Sequence, residues 1–132
     1  MNLFRHTNPP GLSKPTGYTH VVEVQRGRTV YIAGQVAFDA SGSLVGKGDF
    51  VAQARQVMEN LKTALATAGA TFDNVVKVNT YVTDMSQIQA LREIRAAYFG
   101  ANPPASTLVQ VVALARPDLM VEIEAIAVVP EN

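Results

Sequence analysis

The sequence predicts one α+β domain in which two helices cover one face of a β-sheet. Three observations predict this class. Residues 49–68 and 86–99 repeat apolar side chains at helical spacing. Residues 75–83 and 121–129 alternate between two side-chain faces, as strands do. Glycine- and proline-rich segments separate these elements, which gives the order ββαβαββ with a helix at each of two crossovers.

The composition fits a single domain spanning residues 1–132 and excludes several function classes. The chain has no cysteine, so a disulfide framework and a thiolate metal site are impossible, which suits a cytoplasmic protein. Basic and acidic residues number 11 each and are dispersed, so we expect neither a nucleic-acid partner nor a membrane surface. We find no signal-peptide pattern and no apolar run of about 18 residues that could span a membrane.

The first part of the chain is expected to be an arm followed by a hairpin. Residues 1–19 are rich in proline and glycine and predict an irregular arm. Residues 20–25 and 29–38 are β-rich, and the Arg26-Gly27-Arg28 sequence between them predicts that they pair as a hairpin.

Capping residues indicate where each helix begins and ends. Asp49 is expected to cap the first helix, and Gly69 suits the left-handed position after its end. Ser86, with Gln89 three residues later, predicts a capping box for the second helix. Gly100 is expected to end that helix.

Residues 102–130 are predicted to form two adjacent strands joined by a turn at Pro117 and Asp118. Glu122 and Glu124 are two residues apart, so their carboxylates share one face of the sheet. That face is also expected to carry a set of apolar side chains, namely Leu108, Val112, Met120, Ile126 and Val128. Since both helices cover the other face, we expect this one to pack against further copies of the chain in a closed ring.

Local motifs leave the chemistry open. The Glu122 and Glu124 pair could perform acid–base catalysis, or it could form a polar subunit interface or bind cationic partners. His6 and His20 have no accompanying ligand pattern, so we expect no metal site. Ser106 has no neighbouring base in the sequence, which disfavours a hydrolase triad. Tyr18 fits either plain packing or a ligand-facing position on the arm.

Five segments together resemble the RidA/YjgF family of reactive-intermediate deaminases. They are YIAGQVAFD, the helix AQARQVMENLKTALATAGA, the strand VKVNTYVTDM, and the terminal PAST and VEIEAIAVV. The resemblance extends from about Tyr18 to Val129.

The resemblance implies a chorismate-mutase-like fold and a homotrimer with a central barrel. It also implies small-molecule clefts between neighbouring subunits, so the expected partners are two further copies and a metabolite. It further implies the activity of archetypal members, which hydrolyse imines and enamines such as 2-aminoacrylate without a metal or cofactor.

Comparing the chain with the family pattern residue by residue gives both matches and departures. Tyr18 matches a substrate-binding tyrosine of the arm, and Glu122 matches the glutamate that would orient or activate water. Gly34 and Gln35 match a turn that lines the cleft, in which Ala33 replaces the usual serine.

Ser106 is the main departure from the family pattern. Archetypal members read Pro-Ala-Arg-Ser or Pro-Ala-Arg-Thr here, and the arginine binds the substrate carboxylate, whereas this chain has serine. Arg92, where many members have asparagine, is a further candidate for substrate binding. We therefore expect hydrolysis of an imine, enamine or related C=N substrate with little activity on 2-aminoacrylate. The alternative is a non-catalytic metabolite-binding protein.

Overall fold

The main sheet of the protein has four strands, with both helices packed on one face. The computed structural model describes residues 2–132. The strands are β1 (Phe4–Thr7), β2 (Val21–Val24), β3 (Arg28–Gln35), β4 (Val75–Val82), β5 (Ala105–Gln110) and β6 (Val121–Val129); the helices are α1 (Phe50–Thr67) and α2 (Ile88–Phe99). The main sheet has the order β3-β6-β4-β5, in which β4 and β5 are parallel and the other neighbours are antiparallel.

The core lies between this sheet and the helices. Strand β4 buries Val78 and Val82 on the helix face, and β6 buries Val121, Ile123 and Ala125 there. The larger helix, α1, buries an apolar stripe that includes Val57, Met58, Leu61 and Leu65. This is the two-layer arrangement predicted from the sequence, and the α+β class is confirmed.

The predicted pairing of the two C-terminal strands is wrong. Strand β6 inserts between β3 and β4, and β5 pairs with β4 in parallel. The connection over residues 111–120 is ten residues long, so it carries the chain across β4 instead of forming a tight hairpin turn. Its start and end are fixed by hydrogen bonds from Val111 N to the Val82 carbonyl and from Thr83 N to the Met120 carbonyl.

The predicted N-terminal hairpin is also wrong. Strand β2 pairs with β1, which lies inside the arm expected to be irregular, and these two strands form a separate sheet. The strand predicted over residues 29–38 ends at Gln35. At Gly27, a Cβ atom would approach Val128 Cγ1 to 2.6 Å, so the turn between β2 and β3 packs tightly against β6.

The first helix follows its predicted capping, and the second does not. Asp49 accepts a hydrogen bond from Ala52 N at the start of α1. Before α2, Asp84 caps a 3₁₀ turn, Met85–Gln87, and Ser86 donates its backbone N–H to that carboxylate. Ser86 is therefore not the cap of α2, because the acidic residue two positions earlier competes for the same amide groups. Gly100 ends α2 as predicted.

Candidate functional site

A cavity of about 320 Å³ lies between α2, β5 and the N-terminal arm. Three of the candidate site residues line it: Tyr18, Arg92 and Ser106. The remaining lining is mainly apolar and comes from Met85, Ile88, Leu91, Ala96, Phe99, Pro103 and Leu108, with Thr16, Gly17, Arg95 and Gly100 beside it. A concave apolar site of this volume with a few polar groups suits a small metabolite.

The register of β5 turns Ser106 towards this cavity. Ser106 is paired with Val78 and Leu108 with Thr80, and Val78 and Thr80 are both buried on the helix face. In-register neighbours point to the same side of a sheet, so Ser106 and Leu108 lie on the helix face. The expectation that Leu108 shares a face with Glu122 is therefore wrong, because β5 is not the antiparallel neighbour of β6.

Thr19 fixes the arm against the segment that precedes β5. Its hydroxyl donates to the Pro103 carbonyl at 2.5 Å, and its backbone N–H donates to the Pro104 carbonyl at 3.1 Å. Thr19 is buried, so these bonds are shielded from water. They hold the neighbouring Tyr18 at the cavity, where its ring also packs edge-on against His20 at 5.2 Å.

Arg95 is a cavity residue that the sequence analysis missed. Its Nε and Nη2 atoms are buried and have no hydrogen-bond partner among residues 2–132. The guanidinium carbon lies 5.5 Å from the centre of the Phe99 ring. Burial lowers the pKa of Arg95 to about 10, which still leaves it charged at neutral pH. Its spacing of four residues from both Leu91 and Phe99, which are buried, is the signal that could have revealed it.

Glu122 lies on the opposite, open face of the sheet, close to Gly34. A Cβ atom at Gly34 would overlap the Glu122 carboxylate, lying 2.8 Å from its Cδ and 3.0 Å from its Cγ. Glycine is thus required for the carboxylate to lie against the β3 backbone. The φ angle of Gly34 is not positive, so the need for glycine comes from space and not from backbone conformation.

A β-bulge in β3 produces this close approach. Ile32 pairs with Ala125 and Gln35 with Ile123, so Ala33 and Gly34 together face the single residue Glu124. Bulges of this kind interrupt the ladder and re-aim neighbouring groups. Gln35 donates its side-chain amide back to the Ala33 carbonyl at 3.1 Å, so its side chain turns towards its own strand.

Glu124 has a partner within the sheet. The Tyr81 hydroxyl donates to Glu124 Oε1 at 2.6 Å. This hydrogen bond raises the pKa of Tyr81, and burial and the Glu122 and Glu124 charges add to the effect. The bond gives Glu124 a structural role that Glu122 lacks, so of the two carboxylates Glu122 is the better candidate for chemistry.

The candidate site residues form two groups on opposite sides of one sheet. Tyr18, Arg92 and Ser106 line the cavity on the helix side. Glu122 and Gly34, with Ala33 and Gln35 in the same bulge, belong to the open side or its rim. A single chain therefore does not bring the carboxylate to the cavity.

Within the described residues 2–132, no three His, Asp or Glu side chains cluster in a way that could hold a metal ion. None of the helices in that range is long and apolar enough to cross a membrane.

Comparison with known proteins decides the family. A profile described as endoribonuclease L-PSP matches residues 12–129. The chain belongs to this family. A crystal structure of the Rid family protein YyfB from Yersinia pestis is 44% identical, with a TM-score of 0.91, and the match covers 97% of this chain and 100% of that one. A YjgF family member from Mycobacterium tuberculosis is 37% identical with a TM-score of 0.68, covering 86% of this chain and 87% of that one.

Two relatives found by sequence similarity carry different names. Protein DfrA from Myxococcus xanthus is 41% identical over 84% of each chain. A mouse protein named 2-iminobutanoate/2-iminopropanoate deaminase is 42% identical over 84% of this chain and 80% of its own length. These matches confirm the resemblance to the RidA/YjgF family and its fold.

Proposed function

We propose that this protein hydrolyses a small imine or enamine to a carbonyl compound and ammonia, in clefts between the subunits of a homotrimer. The main support is a metabolite-sized cavity in a chain that is 42% identical to a protein named as an imine deaminase. The reaction consumes one water molecule. The water oxygen bonds to the C=N carbon, and the C–N bond then breaks to release ammonia.

The trimer would bring the two groups of site residues together. Glu122 of one copy would face the Tyr18 and Ser106 cavity of its neighbour, because one chain holds them on opposite faces. The open face also exposes Tyr31 by 78% and Val109 by 40%, as expected for a surface that another copy covers.

Glu122 would act as the general base. Its carboxylate accepts a proton from water as the oxygen attacks the substrate carbon, and it returns that proton to the departing nitrogen. Gly34 leaves the space that the carboxylate occupies. Tyr18 and the Ser106 hydroxyl would orient the substrate by hydrogen bonding.

Ser106 sets this protein apart from the family members that act on 2-aminoacrylate. A hydroxyl cannot replace the bidentate contact between an arginine and a carboxylate, which contributes on the order of 2 kcal/mol. We therefore expect turnover of 2-aminoacrylate to be low and the preferred substrate to differ in size or shape.

The test is ammonia release from a panel of imines that includes 2-iminobutanoate, 2-iminopropanoate and a neutral imine. We expect turnover of at least one substrate, and a loss of roughly 100-fold in kcat for Glu122→Gln. Glu124→Gln, on the same strand and face, is the matched control and should change kcat less than about threefold. Full activity in Glu122→Gln would refute the assigned base.

A non-catalytic metabolite-binding protein is the second candidate. Ala33 and Ser106 favour it, because serine and arginine are expected at these positions in the catalytic members of the family. Strong thermal stabilisation by a cavity ligand, with no ammonia released from any imine of the panel, would support this candidate over the enzyme.

A further inference from the structure

Arg95 places a charged group without a partner in the wall of the cavity. Its Nε and Nη2 atoms are both buried and without an acceptor among the described residues. A buried charge is tolerated when paired and is strongly unfavourable when alone. The Phe99 ring, 5.5 Å away, attracts the cation but offers no hydrogen-bond acceptor of comparable strength. Something outside the described chain is therefore needed to complete the site.

The charges around the cavity favour an anion as the missing partner. The described lining contains two charged side chains, Arg92 and Arg95, and neither Asp nor Glu. Arg92 is exposed, whereas the Arg95 guanidinium is largely removed from water. Low local polarity strengthens the attraction between a buried cation and an incoming anion.

The shape of the unpaired group indicates which anion fits. Nε and Nη2 lie on one edge of the guanidinium, and their two N–H bonds run nearly parallel. Each atom has less than 1 Å² of accessible surface, so the Arg95 side chain must turn towards the cavity for this edge to meet a ligand. A carboxylate presents two oxygens at the matching spacing. The rest of the lining is apolar, from Ile88, Leu91 and Leu108, and the Ser106 and Tyr18 hydroxyls lie beside it. The cavity thus combines a planar anion site with room for a small apolar body.

We propose that Arg95 is the carboxylate anchor of this cavity, so that the ligand is a small monocarboxylate with an apolar side chain. The anchor is supplied from helix α2, and not from strand β5, where Ser106 stands. A carboxylate held from a different element takes a different position in the cleft, which is consistent with a substrate other than 2-aminoacrylate. That this ligand is also a substrate rests on the proposed function.

The test is a calorimetric titration with 2-oxobutanoate, the product expected from 2-iminobutanoate. Arg95→Met should weaken binding at least about 30-fold, and Arg95→Lys should lose less because the charge remains. Arg55→Met, on the exposed face of α1, is the control and should bind like the unchanged protein. Equal affinity of Arg95→Met and the unchanged protein would overturn the proposal.

Thermal unfolding without ligand separates an anchor from a structural residue. An unpaired buried charge opposes folding, so Arg95→Met should unfold at the same temperature or higher. A lower unfolding temperature together with a smaller mass by light scattering would instead make Arg95 a subunit contact, and that result overturns the proposal.

Two further ligands test the chemical class. The neutral ester methyl 2-oxobutanoate should bind at least about 30-fold more weakly than the acid. Inorganic phosphate should also bind weakly, and phosphate binding as tight as that of the acid would contradict a carboxylate site. Arg95-dependent binding without ammonia release would uphold the anchor and reject the hydrolase. If Arg95→Met leaves ammonia release from imino acids unchanged, the hydrolase is upheld and the anchor is rejected.

Discussion

Gly34 leaves the space that the Glu122 carboxylate occupies, so a residue without a side chain would matter for the proposed chemistry. The added methyl group of Gly34→Ala would overlap the Glu122 carboxylate. Since this carboxylate ends a flexible side chain, it can move away at little cost in stability, about 1 kcal/mol or less. Such a movement would take the carboxylate away from the position it needs as the proposed general base.

We predict that Gly34→Ala lowers kcat for imine hydrolysis at least about tenfold, because displacing a general base weakens proton transfer. The unfolding temperature should change little. Gly11→Ala is the control, since a Cβ at Gly11 meets nothing within 4 Å. The interpretation fails if Gly34→Ala retains full activity in an assay where Glu122→Gln does not.

For individual residues, the burial and the hydrogen-bond partners of a side chain were harder to predict than the face of the sheet on which it lies. The spacing of Glu122 and Glu124 correctly placed both carboxylates on one face, because side-chain alternation along a strand is a local property. Nothing local indicates that Tyr81 bonds Glu124 and leaves Glu122 without that contact. The buried charge at Arg95 was missed because Ile88, Leu91, Ile94 and Tyr98 already account for an apolar stripe on α2.

At the scale of elements, Gln53 connects α1 to two loops. Its Nε2 donates to the carbonyls of Gly46 at 3.1 Å and Asp118 at 2.9 Å, and its Oε1 accepts from Met120 N at 2.9 Å. The side chain is fully buried, so no water can replace it. It fixes both the entry to α1 and the end of the long connection that leads into β6.

Gln53→Leu should lower the free energy of unfolding by about 3 kcal/mol, since it leaves buried backbone groups without partners. Chemical denaturation measures this directly. Gln56→Leu, one turn along and only half-buried, should cost less than about 1 kcal/mol, because it removes a single bond to Asn60. Similar losses in the two variants would contradict a special role for Gln53.

Tyr98 links the two helices and should make stability depend on alkaline pH. Its hydroxyl donates to Glu59 Oε2 at 2.7 Å. Burial, with this bond, raises the pKa of Tyr98 from 10.0 to about 12. The stabilisation is complete below pH 10 and is lost as pH rises towards 12, because the unfolded state releases the proton first.

Denaturation curves at pH 8 and about pH 11 test this link. The unfolding free energy should fall between these values, and it should fall less in Tyr98→Phe. The difference between the two proteins isolates Tyr98 from Tyr81 and Arg95, which also titrate in alkaline solution. An identical pH slope in both proteins would exclude the raised pKa.

The elements themselves could largely be predicted from the sequence, but the strand order could not. Helix α1 and strand β4 carry clear periodicity, so their positions followed from local patterns. Pairing depends on where connections cross the sheet, and no local pattern records that β6 lies between β3 and β4. This strand order determines where the candidate site residues lie, because it puts Ser106 on the helix face and Glu122 on the open face.

For the whole molecule, the open face is where the proposed assembly and the proposed function would meet. This face carries Glu122, Glu124 and the exposed Tyr31 and Val109 side chains. If copies of the chain cover it, the same contact buries apolar surface and brings Glu122 to a neighbouring cavity. Assembly and catalysis should then be lost together, whereas stability of the individual subunit should persist because its core lies on the other side of the sheet.

Light scattering should give a mass three times the 14.1 kDa of the protomer. Val109→Lys adds a charge to the face that the proposed trimer would bury, so it should shift the mass towards the protomer and remove activity while the circular dichroism spectrum stays the same. Val21→Lys is the matched control, because Val21 is similarly exposed, at 45% against 40% for Val109, but lies in the small sheet. A protomeric mass for the unchanged protein at micromolar concentration would reject the trimer. An active protomeric Val109→Lys would show that one chain completes the site alone, which the separation of Glu122 from Ser106 across the sheet argues against.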